Sequence, residues 1–210
     1  MIDFVLHFDK HLLDFVQAYG SWVYALLFAI VFAETGLVVT PFLPGDSLLF
    51  ATGALCATGA LSAPATAGLL CAAAFTGNAV NYAIGRFVGP RVFNAEDSAG
   101  ISHRLLNREH LTRAHAFFEQ YGGKAVVLSR FMPIVRTFLP FVAGAASMKA
   151  SAFGLYNLMG AVGWVALCLG SGFFFGNIPI IKQNFSLVTI GIVVVSVLPM
   201  AVEYLRRRSG

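Results

Sequence analysis

From Phe15 through Gly85 the chain carries only two charged residues, Glu34 and Asp46. A soluble domain puts charge on about a quarter of its residues, and no soluble surface can be built from so long a stretch with so little of it. The whole chain follows suit. Of its 210 residues 58% are hydrophobic and 11% charged, with a mean hydropathy of +0.76. These values predict an integral membrane protein and exclude a soluble core of the same length. The N-terminal "MIDFVLHFDKHLLDF" has acids where a signal peptide has bases, and no cleavage-like end. Cys56, Cys71 and Cys168 all lie in apolar segments and have neither disulfide nor metal spacing. The net charge of +4 resides largely in one loop and one tail, as membrane topology requires, so no nucleic-acid partner is expected.

The apolar stretch is broken by "TPFLPGD" at Thr40 to Asp46, and Phe-Leu-Pro recurs in "RTFLPFVAGAA" at Arg136 to Ala146. Residues 22–60 therefore read as a first interrupted hairpin, and a small-residue-rich span follows at 65–89. Residues 1–18 alternate apolar and charged side chains, the pattern of an amphipathic helix in the membrane interface. Residues 90–124 are polar and mostly basic (Arg91, Arg104, Arg108, Arg113, Lys124) and read as a cytoplasmic loop and helix; there "REHLTRAHAFFEQYGG" is amphipathic and ends at a glycine cap. Two ordinary spans are expected at about 151–175 and 185–204, before the Arg206-Arg207-Arg208 tail.

Charge then decides how residues 125–147 lie. The basic loop and the arginine tail both belong on the cytoplasmic side. A full crossing by 125–147 would place them on opposite faces; a segment that dips in and returns keeps them together. Its two prolines and two arginines favour a re-entrant hairpin, which survives at membrane depth only inside protein or beside a wet cavity. The expected fold is thus an all-α polytopic membrane protein. A single domain over 1–210 holds two inverted re-entrant helical hairpins, about three transmembrane spans and amphipathic helices.

Aligning the two Phe-Leu-Pro triplets gives an offset of 96 residues (42 to 138) and sets Glu34 opposite Arg130, and Thr40 opposite Arg136. Inverted repeats with broken helices are a build of secondary transporters, whose site lies near the midplane. Each charge at that depth costs about 2.5–3.5 kcal/mol. Glu34, Asp46, Arg130 and Arg136 are therefore expected to repay their burial through pairing or function. Glu34 and Arg130 are expected to be neighbours, with Arg136 the freer cation.

At these residues the sequence strongly resembles the DedA family of bacterial membrane proteins, which share a domain with eukaryotic lipid scramblases. The resemblance rests on "FAETGLVVTPFLPGDSLLFATGAL", "GNAVNYAIGRFVG", "REHLTRAHAFFEQYGGKAVVLSRFMPIVRTFLPFVAG" and Gly163-Trp164. It covers nearly the whole chain, and its Arg-x-x-Pro-x-x-Arg-Thr block is specific. It implies two facing re-entrant hairpins, a role in envelope homeostasis and transport driven by the proton-motive force. The substrate class it implies is an anionic lipid phosphate such as undecaprenyl phosphate. The family's functional acids and arginines match Glu34, Asp46, Arg130 and Arg136. Asn78 stands where relatives often carry Asp, a departure that leaves any proton role of that Asp without its carboxylate here.

Chemistry fits this implication. Arginine's planar fork suits phosphate oxygens, so Arg130, Arg136 and the adjacent Thr137 are the expected substrate contacts. Glu34 can hold an arginine in the empty site or carry a coupling proton. Asp46 can cap the second arm, couple protons, or do both. Asn78, Asn81 and Tyr82 either line the cavity or bond between helices, the latter being the better reading. Gly85-x-x-x-Gly89 and Gly172-x-x-x-Gly176 permit close helix contact, though 21 glycines make such spacings common by chance. An enzyme is not expected: no histidine lies beyond His115, and no Gly-x-Ser-x-Gly elbow occurs. No metal or cofactor is expected. The expected partners are the lipid phosphate and membrane lipids, with a homo-oligomer left open. The expected location is the bacterial inner membrane, multi-pass, with the C-terminus cytoplasmic. A general phospholipid scramblase and a non-transporting assembly or quality-control factor are the competing readings.

Overall fold

The computed structural model describes residues 20–37, 45–94, 108–176 and 178. Four expectations lie outside them: the interfacial helix at 1–18, the first Phe-Leu-Pro turn, the span at 185–204 and the arginine tail. The described residues form helices and turns without a strand. The helices are α1 (Trp22–Gly36), α2 (Gly45–Ala57), α3 (Ala63–Asn94), α4 (Arg108–Tyr121), α5 (Lys124–Leu128), α6 (Pro133–Ala145) and α7 (Ala150–Gly176), with a 3-10 turn at Ser129–Phe131 between α5 and α6.

Two helices are long and apolar enough to cross a membrane, Ala63–Gly89 within α3 and Ala150–Gly176. Both present large apolar side chains outward: Val80, Ile84, Phe87 and Val88 from α3, and Leu155, Leu158, Met159, Val162, Leu167 and Phe174 from α7. A helix in water hides one apolar stripe and exposes a polar face. These expose apolar side chains along most of their length, which hydrocarbon tolerates and water does not.

The contacts divide into two compact units. One comprises the described parts of Met1–Leu27, Pro44–Leu69 and Val165–Gly210; the other comprises those of Phe28–Leu43 and Leu70–Trp164. Within the first, α2 lies against the C-terminal part of α7 at backbone distance. A Cβ on Gly172 would strike the Phe50 backbone, one on Gly176 would strike Ala54, and one on Gly53 would strike the Leu169 carbonyl and the Phe173 nitrogen. Within the second, α6 lies against α3 in the same way. A Cβ on Gly85 would strike the Phe141 backbone, one on Gly89 would strike Ala145, and one on Gly144 would strike the Tyr82 carbonyl and the Arg86 nitrogen.

The two contacts repeat position by position. Phe50, Gly53 and Ala54 correspond to Phe141, Gly144 and Ala145, an offset of 91 residues (50 to 141), while Leu169, Gly172, Phe173 and Gly176 correspond to Tyr82, Gly85, Arg86 and Gly89, an offset of 87 residues (85 to 172). The Phe-Leu-Pro alignment, at 96, was out of register by about a helical turn and a half. The two glycine pairs, discounted in the sequence as chance, bring helices to backbone distance in each unit.

The second unit has its own core: Ala114 from α4, Ala125 and Val126 from α5, Val135, Phe138, Leu139, Phe141, Val142 and Ala143 from α6, with Tyr82 and Phe153. The amphipathic α4 turns Ala114 into it, packs Phe117 and Phe118 against it, and ends at Gly122 with φ +55°. That is the expected glycine cap, a conformation a Cβ penalises.

The break in the 125–147 segment lies at a different place from the one expected. Pro133, not Pro140, makes it. The residue before a proline is pushed out of the α region, and Met132 is extended (φ −120°, ψ 103°) with Pro133 opening α6. The triplet Phe138-Leu139-Pro140 lies inside α6. There Pro140 removes only the hydrogen bond that would reach the carbonyl of Arg136.

Candidate functional site

Pro133 does more than interrupt a helix. Arg130 is carried by the short 3-10 turn before the break, and Arg136 and Thr137 by the first turns after it. The N-terminus of α6 has no side-chain cap, so its positive dipole end stands beside the same cluster. Glu34 and Thr35 come from the end of α1, Asn78 from the middle of α3, and Trp164 from α7. These seven residues line one small recess, with a cavity volume of about 10 Å³, entirely within the second unit.

Inside it Arg136 Nη2 donates to Glu34 Oε1 in an ion pair. Glu34 is 3% exposed, so the pair is largely desolvated, and removing one partner from such a pair typically costs about 3–5 kcal/mol. The repeat alignment had paired Glu34 with Arg130. The ion pair is with Arg136 instead, while Arg130 lines the same recess without pairing to Glu34.

Arg130, 5% exposed, is held by neutral oxygens. Its Nη2 donates to Asn157 Oδ1 at 2.7 Å and to the Ala74 carbonyl at 3.2 Å. Asn157 also donates to the Phe75 carbonyl at 2.9 Å. The Asn78 amide has two usable orientations. In one it donates to Asn157 Oδ1 at 3.1 Å. Turned over, it donates to the Thr35 carbonyl at 3.2 Å and accepts from Arg130 Nη2 at 2.9 Å, at the expense of setting two oxygens 3.1 Å apart.

Both guanidiniums approach the buried Trp164 indole, Arg130 Cζ at 5.9 Å and Arg136 Cζ at 5.5 Å from the ring centroid. Each lies within cation–π range, which adds about 0.5–2 kcal/mol apiece. Among the charged residues lining the recess there are two cations and one carboxylate. The recess is therefore largely desolvated and carries an excess of one cation.

The other predicted residues divide. Asn81 does not line the recess; it crosslinks the helix ends beside it, donating to the Thr137 carbonyl at 2.8 Å and the Thr35 carbonyl at 3.3 Å. Tyr82 does not line it either. Its hydroxyl donates to the Met148 carbonyl and accepts from Arg86 Nη1 at 2.9 Å, and its ring stacks on Phe153 at 4.3 Å. Asp46 belongs to the first unit. It is exposed in the first turn of α2, where a carboxylate complements the helix dipole. Sequence reasoning missed Asn157 and Trp164 as site residues. A lone Asn in a 27-residue apolar helix, seven positions before a Trp on the same face, was the available signal.

Outward-facing apolar helices and, in the second unit, a buried cluster of two arginines and one glutamate define a helical membrane protein with charge held in its interior. A VTT domain matches residues 43–174. Protein DedA of Escherichia coli (strain K12) is 49% identical over 210 residues, spanning 99% of this chain and 94% of that protein. The chain belongs to the DedA family. An uncharacterised membrane protein of Mycobacterium tuberculosis (strain ATCC 25618 / H37Rv) is 42% identical over 192 residues, 90% of this chain and 81% of the relative. The inner membrane protein YqjA of Escherichia coli (strain K12) is 38% identical over 159 residues, 75% of this chain and 70% of the relative. No solved structure matches the chain.

Proposed function

We propose that this chain carries an anionic lipid phosphate across the bacterial inner membrane, with undecaprenyl phosphate the best candidate and the proton-motive force the driving source. The observation that carries the reading is the excess of one cation in the desolvated recess, where Arg130 and Arg136 meet a single carboxylate. The name of the relative YqjA supports the membrane assigned.

Arg130 binds the phosphate with its charge unspent, since its protein partners are neutral oxygens. Arg136 is shared between Glu34 and the ligand, and Thr137 adds a hydroxyl beside it. A phosphate that takes Arg136 leaves Glu34 buried next to an anion. A proton on Glu34 removes that repulsion, which links ligand entry to proton entry. Asp46 serves as a second proton carrier or as the cap of α2.

Proteoliposomes holding the full chain and a fluorescent polyprenyl phosphate test the proposal, with and without a pH gradient. Movement of the phosphate lipid above protein-free liposomes, faster under a gradient, is the expected result. Equal movement of a zwitterionic phospholipid identifies a general scramblase. No movement of either lipid overturns transport and leaves a non-transporting membrane factor.

A further inference from the structure

The arginine that carries the unspent charge is itself held by one face of α7. Asn157, Gly160 and Trp164 recur at i, i+3 and i+7 and so share a helix face, and all three meet Arg130. Asn157 Oδ1 accepts from its Nη2 at 2.7 Å. An added Cβ at Gly160 would come within 3.0 Å of both Cδ and Nε of Arg130 and 3.4 Å of Val127 Cα, so the missing side chain is the space the arginine stem occupies. Trp164 lies under the guanidinium carbon.

Nη2 is spent on Asn157 and on the Ala74 carbonyl. Nε is buried with no hydrogen-bond partner among the described residues. Nη1 likewise makes no hydrogen bond among the described residues but, unlike Nε, is not fully buried. A guanidinium fixed in this way offers one nitrogen, in one direction, to whatever occupies the recess. It no longer offers the two-pronged fork of a mobile arginine.

We infer that Asn157 and Gly160 are positioning residues, which orient Arg130 so that Nη1 is the donor presented to a phosphate oxygen. This rests on the anion-site reading above. It gives α7, which already lines the recess through Trp164, a part in orienting the donor that meets the ligand.

Two measurements on the full chain in detergent decide it. The first needs no ligand. The Nε–H resonance of Arg130, identified by its disappearance in Arg130→Lys, is followed in protein labelled with ¹⁵N-arginine. It is expected to exchange slowly with solvent in the parent protein and about tenfold or more faster in Asn157→Ala, where a charge-assisted hydrogen bond is lost. Exchange unchanged in both Asn157→Ala and Gly160→Ala overturns the inference.

The second reads binding. The chain has two tryptophans, so in a Trp22→Phe background Trp164 emission reports on the site. Dodecyl phosphate is titrated as the lipid probe and inorganic phosphate as the free one. Gly160→Ala is expected to weaken dodecyl phosphate binding by about tenfold in the Arg130 protein but little in an Arg130→Lys background, the non-additivity of residues in contact. Gly163→Ala, with nothing within 4 Å of the added carbon, is expected to match the parent. Equal losses from Gly160→Ala in both backgrounds would mean that Gly160 only packs helices, and would overturn its positioning role. If neither phosphate binds the parent, the anion-site reading falls, while the exchange measurement still decides whether α7 fixes Arg130. If inorganic phosphate alone binds, the site takes a free anion and the lipid source is wrong.

Discussion

Ser147 shows how a single residue sets the turn between α6 and α7. It has φ +56°, a region where a Cβ costs about 1–2 kcal/mol. The amide of Met148 donates to the Ala143 carbonyl at 3.0 Å and that of Ser147 to the Gly144 carbonyl at 2.9 Å. That is the Schellman pattern, with serine where glycine is usual. The Met148 carbonyl then receives the Tyr82 hydroxyl, so the turn must keep its shape. Ser147→Gly relieves the strain, although it also frees the unfolded chain. We expect a net gain of roughly 0.5–1 kcal/mol, read as a higher melting temperature in detergent. Arg136→Lys tests the site at the same scale. Lysine keeps the charge opposite Glu34 but loses the planar group that lies near Trp164. A folded protein with dodecyl phosphate affinity reduced about tenfold is expected, and unaltered affinity would remove Arg136 from the ligand's contacts. The charged members of the site were legible in the sequence because buried charge in an apolar chain is conspicuous. Their pairing was not. A three-residue match cannot fix a register, and Glu34 and Arg136 lie 102 positions apart.

Among the elements, long helices were the easiest to foresee. The 65–89 and 151–175 segments appear as Ala63–Asn94 and Ala150–Gly176, because uninterrupted apolar composition over such lengths has few alternatives. The break in 125–147 was harder. It contains two prolines, and a proline late in a well-packed helix can remain there, whereas one at a helix start forces the preceding residue to extend. Glycine was harder still. Composition alone cannot separate a glycine that permits contact from one that merely occurs, and only the contacts make the distinction. Gly85 and Gly172 meet backbone, whereas Gly68 meets nothing within 4 Å. Gly85→Ala and Gly172→Ala must therefore push two helices apart and are expected to cost at least about 1–3 kcal/mol, as overpacking does. Gly68→Ala gains helix propensity instead and is expected to be neutral or stabilising by up to about 1 kcal/mol. Melting of the three variants in one detergent checks this; a neutral Gly85→Ala and a damaging Gly68→Ala would contradict the contact register.

For the molecule as a whole, the two units build the same close helix contact with opposite chain order. In one the short helix α2 precedes its partner α7; in the other the short helix α6 follows its partner α3. Chain order of this kind suits a duplicated element, and it makes the path of the segment from α5 to α6 the deciding feature of the topology. Its 22 residues would span roughly 30 Å if they formed one straight helix, but they are broken at Met132 and carry two arginines in the recess. A segment whose middle serves a buried site has no reason to run straight across. If it returns to the side it entered from, α7 and the later apolar stretch carry the chain out and back, and Gly100 and Arg208 face the same compartment. Basic residues near both positions favour the cytoplasm. The experiment replaces Cys56, Cys71 and Cys168, the three cysteines of the chain, with serine or alanine. Single cysteines are then placed at Gly100 and Arg208 and exposed to an impermeant thiol reagent in oriented membrane vesicles. Both positions should be labelled only from the cytoplasmic side. Labelling from opposite sides would make 125–147 a full crossing, and the site would then lie on a broken transmembrane helix instead of a re-entrant one.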